Sequence, residues 1–398
     1  MIADRMKKVQ ASITLAIDAK AKQMIADGTD LVGFGAGEPD FNTPENIKQA
    51  GIRAITENKT RYTPSSGMPG LKKAIAEKLK KDNNLDYKPG QIIVSCGAKH
   101  SLYNIFMAGI NPGDEVIIFS PYWVSYVEMV NMAQGVPVFV ELDESKKFEI
   151  DFGVLESKIT PKTKAMIINS PSNPTGCVLS KESIEKLAAI CLKNNILIIS
   201  DEIYEKNLYN GRTHISIAAI SPEVKAKTVL VNGLSKSHAM TGWRIGYIAA
   251  DDAELVKAMD NLQSHSTSNP MTIAQWAAIE AHNTDTSVIK GMVSEFDKRR
   301  QYILGRIAAI EGLSCVEPEG AFYVFPNFKP LIGKTVNGKK IEGSMSFADI
   351  LLTEAKVAVV PGIAFGSDCH FRMSYANSMA NIEKGMDRIE KLIKTVEN

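Results

Sequence analysis

Lys236 is the residue on which chemistry could most readily be built in this chain. It stands in Val231–Tyr247, VNGLSKSHAMTGWRIGY, between an apolar β-type run, Thr228 to Val231, and a second one, Ile245 to Ala250. An amine at a strand end, beside small polar residues, can be held against a phosphorylated carbonyl compound. Ser235 would place its hydroxyl and Arg244 its guanidinium on the phosphate, leaving the Lys236 amine free to form a Schiff base. A Ser-Lys pair alone reads better as a solvated turn; here the motif is long and has partners elsewhere in the chain.

Ser95-Cys96-Gly97-Ala98-Lys99-His100 follows a strand-like run and opens a helix, so Gly97 and Ala98 would let backbone N–H groups face an anion such as phosphate. Asp201 ends the apolar run Ile196–Ser200 and is followed by Tyr204; a carboxylate there is either a helix cap or a partner for chemistry. Asn173 lies in Ser170-Pro171-Ser172-Asn173-Pro174-Thr175-Gly176, which is a proline-rich turn if nothing more. Trp123 can be a core aromatic or a ring-stacking surface. Arg372 alternates with apolar neighbours and needs an anionic partner, either a structural carboxylate or the α-carboxylate that its planar fork suits. Gly33, Gly35 and Gly37 allow a backbone to pass close to a ligand, and the run from Val32 to Asp40 reads as a linker over a cleft.

Those residues must be positioned by regular elements. Short apolar runs at Gln91–Ser95, Glu115–Phe119, Val136–Val140, Ala165–Ile168, Ile196–Ser200, Thr228–Val231 and Ile245–Ala250 are separated by helical segments. This predicts an α/β layer with a mainly parallel sheet, and such sheets bind ligands at the carboxyl ends of their strands. Gly97, Trp123, Asn173, Asp201 and Lys236 all fall there. Arg61 to Gly67, including Tyr62, is turn chemistry before a helix with Leu71, Ile75 and Leu79 on one face. After about residue 290 a charged helical segment with Glu295, Asp297, Lys298, Arg299 and Arg300 leads away from the sheet. Apolar runs at Gly320–Phe325, Val357–Val360 and Phe371–Tyr375 follow, then a closing helix with Ile382, Met386, Ile389, Ile393 and Val396 on one face.

Composition narrows the class. The 398 residues are 44% hydrophobic and 23% charged, which suits a globular protein large enough for two units. A formal charge of +1 gives no field that would recruit nucleic acid or an anionic membrane, and no apolar run reaches spanning length. Five scattered cysteines and six unclustered histidines support neither a disulfide framework nor a metal site. A cytoplasmic enzyme is expected.

Taken together the segments resemble class I aminotransferases of the aspartate aminotransferase fold, enzymes that use pyridoxal 5'-phosphate. The likeness runs from Gly37-Glu38-Pro39-Asp40-Phe41 to Phe371-Arg372-Met373-Ser374-Tyr375-Ala376, and SPSNPTG, SDEIYE and SKSHAMTGWRIGY are its most specific parts. It implies fold type I: a large domain over 46–290 with a mainly parallel seven-stranded sheet, and a smaller α+β domain formed by 1–45 and 291–398. It implies a cofactor covalent on Lys236, the proton-shuttling base, with Asp201 on the pyridine nitrogen, Tyr204 and Asn173 on the phenolic oxygen and Trp123 on the ring. Ser235, Arg244 and the Gly97-Ala98-Lys99 turn would hold the phosphate, joined by Tyr62 of a second subunit in a homodimer. Gly37 and Arg372 would take the substrate α-carboxylate, with Trp123 and Asn173 beside it, and Pro121 and Pro174 would follow cis bonds.

The likeness is closest to a bacterial subgroup without the arginine that grips the distal carboxylate in other members; Ser264 matches that position, and Lys99 would take over the role. Members of the subgroup that accept prephenate tend to carry lysine where this chain has Gln10. The implied reaction is transfer of the amino group from L-aspartate to 2-oxoglutarate by a ping-pong route. Alternatives are an aromatic, alanine or prephenate aminotransferase, a lyase on the same scaffold, or the ligand-sensing half of a regulator.

Overall fold

A computed structural model describes residues 2–397; Met1 and Asn398, the ends of the expected smaller unit, lie outside the described residues. All seven expected runs are strands of one sheet. Their spatial order is Ile92–Ser95, Gly246–Ala250, Thr228–Gly233, Leu197–Asp201, Thr163–Asn169, Glu115–Ser120 and Val136–Glu141. Gly246–Ala250 runs antiparallel to both of its neighbours, and the other adjacent pairs are parallel.

The strands read as unbroken apolar runs because helices cover both faces. Alternate side chains go to opposite layers. Ile92, Val94 and Leu230 pack with Leu71, Ile75 and Leu79, whereas Ile93, Val229 and Val231 pack with Leu102, Ile105 and Phe106. Val229, Leu230 and Val231 are essentially fully buried, and burial of each contributes roughly 1.5–3 kcal/mol. That strand therefore gives the segment leading to Lys236 a rigid base.

The parallel strands bring Ser95, Ser120, Asn169, Asp201 and Gly233 to one edge of the sheet. The antiparallel strand starts at this same edge, since Gly246 pairs with both Ser95 and Gly233. Arg244, two residues before it, is thereby delivered beside the Gly97 turn. Three cis peptide bonds precede Pro121, Pro171 and Pro174 in the loops leaving this edge; the one at Pro171 was not expected.

The remaining chain builds a second core. Val32–Gly33 pairs in parallel with Val357–Ala358, and Val32 and Phe34 pack with Phe296, Ile303, Phe347, Ile382, Met386 and Ile389. The charged segment near residue 295 belongs to the helix Thr286–Ala309, which runs unbroken through residue 290. Its Arg299 and Arg300 are buried. Arg299 donates to both carboxylate oxygens of Asp40 at 2.8 and 2.9 Å, and Arg300 pairs with Asp297 and Glu317. Arg299 thus ties the glycine-rich loop to this core. The closing helix is Met379–Ile393; Val396 lies beyond it, in a short strand paired with Thr335–Val336. Among the described residues no helix is long and apolar enough to cross a membrane.

Candidate active site

A cleft of about 410 Å³ opens at the carboxyl edge of the sheet. It is lined by Gly37, Ala98, Lys99, Trp123, Asn173, Asp201, Tyr204, Ser235, Lys236, Arg244 and Arg372, so eleven of the thirteen residues singled out from sequence converge on it. Gly97 lies just behind the lining. Tyr62 does not reach the cleft of its own chain and is 89% exposed.

Lys236 follows the strand Thr228–Gly233 and is half-buried against the glycine-rich loop, donating to Gly37 O at 2.5 Å. Desolvation pushes its amine down to about 8; Arg372 and Arg244 add to this, and Glu38 and Asp201 oppose it. Asp201 is 4% exposed at the end of its strand. Burial pushes its carboxyl up to about 6, against a hydrogen bond from the Tyr126 hydroxyl at 2.7 Å and the attraction of Lys236. It is a poor helix cap, since among the described residues its only short-range bond is from Ile203 N–H at 3.3 Å.

Gly97 shows why the anion turn has its sequence. Its φ is +87°, and a Cβ there would lie 2.5 Å from an Arg244 guanidinium nitrogen. Gly246 serves the same approach, because a Cβ would strike Ala98 N at 2.2 Å. The helix Ala98–Gly109 starts at this point and presents its N-terminus, while Arg244 donates to Thr241 O and Cys96 O at 3.0 and 3.2 Å. Arg244 itself adopts a left-handed backbone, φ +56°, a conformation that favours a functional constraint over local propensity.

Arg372 is 3% exposed. It donates to Asn173 Oδ1 at 3.0 Å and to Gly35 O at 2.8 Å, and its guanidinium carbon lies 4.5 Å from the Tyr323 ring centroid. Its Nε has no partner among the described residues, and no carboxylate pairs with it there. Among the described residues a structural ion pair is thereby set aside, and the guanidinium lines the cleft with its Nε unsatisfied.

The family model described as aminotransferase class I and II matches residues 29–389. This chain belongs to that aminotransferase family. It is 53% identical, over 99% of both chains, to an aspartate aminotransferase of Bacillus sp. (strain YM-2). Among solved structures it superposes on the aspartate aminotransferase of Rhizobium meliloti with a TM-score of 0.96, 41% identity and full coverage of both chains. It also superposes on the Thermus thermophilus aspartate aminotransferase with maleate, with a TM-score of 0.93 and 42% identity over 98% of this chain and 99% of that one.

Aminotransferases of this family act on amino and 2-oxo acids with pyridoxal phosphate bound to a lysine. The site fits that cofactor on its own terms. A half-buried amine, a buried carboxylate, a glycine turn at a helix N-terminus with an arginine beside it, and an aromatic face surround one cleft.

Several lining residues were not foreseen. Tyr126 reaches Asp201, Asn169 holds Asp201 O at 3.0 Å and Asn173 N at 3.0 Å, and Tyr323 shares a 2.8 Å hydrogen bond with the Tyr204 hydroxyl. Asn169 had a signal, since it ends a strand at the same edge as Asp201. Tyr323, inside an apolar run, had none. Beneath the site the buried Glu205 pairs with half-buried Lys78 and accepts from Asn83, and Glu202 accepts from Ser200 and Ser216, anchoring the SDEIYE segment.

Proposed function

We propose that this protein is an aspartate aminotransferase, converting L-aspartate and 2-oxoglutarate to oxaloacetate and L-glutamate. The observation that carries the reading is the buried Arg372 guanidinium, which has no carboxylate partner among the described residues and lines the same cleft as the Lys236 amine. Pyridoxal phosphate, when bound, supplies an electron sink that makes the amino-acid α-proton acidic. Ser235, Arg244 and the Gly97-Ala98-Lys99 turn would hold its phosphate, Asp201 its ring nitrogen, Tyr204 and Asn173 its phenolic oxygen, and Lys236 its carbonyl carbon. Trp123 would cover the ring.

The protein's own groups do the rest. Arg372 takes the α-carboxylate, beside the Gly37 loop, and thereby orients the substrate Cα. Lys236 takes the proton from Cα and carries it onward; an amine near pKa 8 has a substantial neutral fraction and remains a competent base. Asp201, ionised above about pH 6, places negative charge opposite a protonated ring nitrogen in a site sheltered from water. Oxaloacetate leaves before 2-oxoglutarate enters, which gives ping-pong kinetics.

Lys99 stands exposed at the mouth, its amine 5.0 Å from the Trp123 ring centroid, where it would meet a distal carboxylate. Maleate, named with the Thermus thermophilus relative, is also a dicarboxylate. The exposure of Lys99 also favours a second reading, in which larger or uncharged side chains, aromatic ones included, are accepted.

We infer a homodimer. Tyr62, Ile52, Ile55 and Met271 are 89%, 52%, 55% and 58% exposed, and the Tyr62 turn is held to its own chain where Thr272 donates to Arg61 O. Such a rigid apolar surface suits a second copy, which would receive Tyr62 at its phosphate site. The same reading assigns a large domain to 46–290, a small one to 1–45 and 291–398, and a cytoplasmic location.

The test is absorbance of the purified protein with pyridoxal phosphate before and after L-aspartate, with oxaloacetate release measured alongside. Wild type is expected to show a visible cofactor band that aspartate converts to one at roughly 330 nm, set by the cofactor's own electronics. Lys236→Ala should lose turnover by about 10⁴-fold or more. A visible band that only another amino acid shifts would move the substrate assignment, and failure to take up the cofactor would remove the enzymatic reading.

A further inference from the structure

We infer that Tyr126 is a positioning residue that aims Asp201 at the cofactor's ring nitrogen while it sets Trp123 against the ring face. The inference rests on the pyridoxal-phosphate reading above and adds to it a residue that neither motif nor spacing had marked.

Tyr126 is 2% exposed, in the first turn of the helix Ser125–Met132. Its hydroxyl lies 2.7 Å from Asp201 Oδ2. A phenol has one proton. Burial and the adjacent Asp201 carboxylate both raise its pKa far above the ordinary range, so it stays neutral and donates. Among the described residues Asp201 Oδ1 receives only the longer bond from Ile203 N–H, and the backbone oxygen is held by Asn169. One carboxylate oxygen is thus clamped and the other is left for the cleft.

The groups facing Asp201 are Glu202 and Tyr204 from its own segment, Tyr126 from the neighbouring helix and Lys236 after the next strand. Burial and Glu202 favour the protonated acid, whereas the Tyr126 bond is the largest influence favouring the carboxylate, with Ile203 N–H and Lys236 behind it. Without the phenol, the acid form would persist to higher pH, and a neutral acid gives a protonated ring nitrogen no countercharge.

The same side chain meets Trp123 edge-on, with centroids 5.2 Å apart and planes at 85°, and its N–H donates to Trp123 O at 3.0 Å. The ring belongs to the buried core with Ile118 and Ile167 and borders a small cavity of about 50 Å³, and the bond to Asp201 adds a directional hold to that packing.

The experiment compares wild type, Tyr126→Phe and Tyr126→Gln. Each is assayed for kcat and KM against pH with L-aspartate, and for pyridoxal phosphate affinity by quenching of tryptophan fluorescence. Tyr126→Phe keeps the ring on Trp123 and loses the donor. Its acid limb of kcat should move up by roughly one pH unit, and kcat at neutral pH and cofactor affinity should each fall about tenfold, as for one lost hydrogen bond to a charge. KM for aspartate should change little. Tyr126→Gln keeps a donor without the ring, and its acid limb should lie nearer to wild type.

A folded Tyr126→Phe with a wild-type acid limb and wild-type cofactor affinity overturns the inference, even if its thermal midpoint drops. A Tyr126→Gln limb displaced as far as that of Tyr126→Phe overturns it too. Wild-type protein that neither takes up pyridoxal phosphate nor converts aspartate instead removes the underlying reading, and the inference with it.

Discussion

At the deep end of the cleft Arg372 is 3% exposed, fixed by Asn173 and Gly35 O, and flanked by the rings of Tyr323 and Phe365. At the mouth Lys99 is exposed, with the Trp123 ring 5.0 Å from its amine and the Arg244 charge acting on it. Both are cations suited to a carboxylate, yet their surroundings make them unequal. A planar guanidinium held in a dry pocket imposes direction, and loss of one partner of such a buried pair costs about 2–5 kcal/mol. An exposed ammonium is screened and pays side-chain entropy to bind, so its ion pair contributes about 0–1 kcal/mol. On the proposed roles, the group common to all amino acids would meet the rigid site, and the group that varies would meet the adaptable one.

The largest effect that would sharpen this contrast is at the deep end, where Asp201→Asn should lower turnover roughly 10³-fold by removing the countercharge to the ring nitrogen. The same variant should stabilise the ligand-free protein. The Asp201 carboxyl is raised to about 6, so its favourable contribution is present below the ordinary carboxylate range and lost as pH rises through 6. The gain in thermal midpoint should therefore be greater at pH 8 than at pH 5; an equal or smaller gain at pH 8 would count against the buried-charge account.

Arg372→Leu comes next, with kcat/KM expected to fall about 10²–10³-fold. The loss should be similar for aspartate, alanine and tyrosine as amino donors, to whatever extent wild type accepts each. Lys99→Ala should cost about tenfold or less with aspartate, and little with alanine, because only a distal carboxylate would feel it. If Lys99→Ala costs as much as Arg372→Leu, the distinction between buried and exposed cation fails. The smallest change is expected for Tyr62→Phe, a few-fold weaker hold on the cofactor from the loss of one hydroxyl at a shared site. Measuring that loss on dilution would show whether Tyr62 acts across subunits.

Much of the deep site was legible because its residues sit at strand ends. Asp201, Asn173 and Lys236 each follow an apolar run, and a parallel sheet necessarily gathers such positions on one edge. Arg372 was legible as a cation in need of an anion, but not as one without an internal partner. Arg299 and Arg300 were legible only as part of a charged helical segment, and it is the packing against Asp40 and Glu317 that shows two buried guanidinium groups. Val396 continued the apolar period of the closing helix on paper but leaves it to pair with Val336.

The sequence by itself determined the seven strands, the helix that begins after Gly97, and the identity of the amine, carboxylate and guanidinium that the chemistry requires. These follow from local period and from residue chemistry, which neighbours in the chain express without help. Tertiary structure decided the pairings: Lys236 with Gly37 and Arg372 with Asn173, each 199 residues apart, and Tyr126 with Asp201, 75 apart. It also decided that the strand after Arg244 runs against its neighbours, which carries that arginine to the phosphate turn. Such contacts depend on strand order and on how two cores close over one cleft, and no periodicity along the chain encodes them.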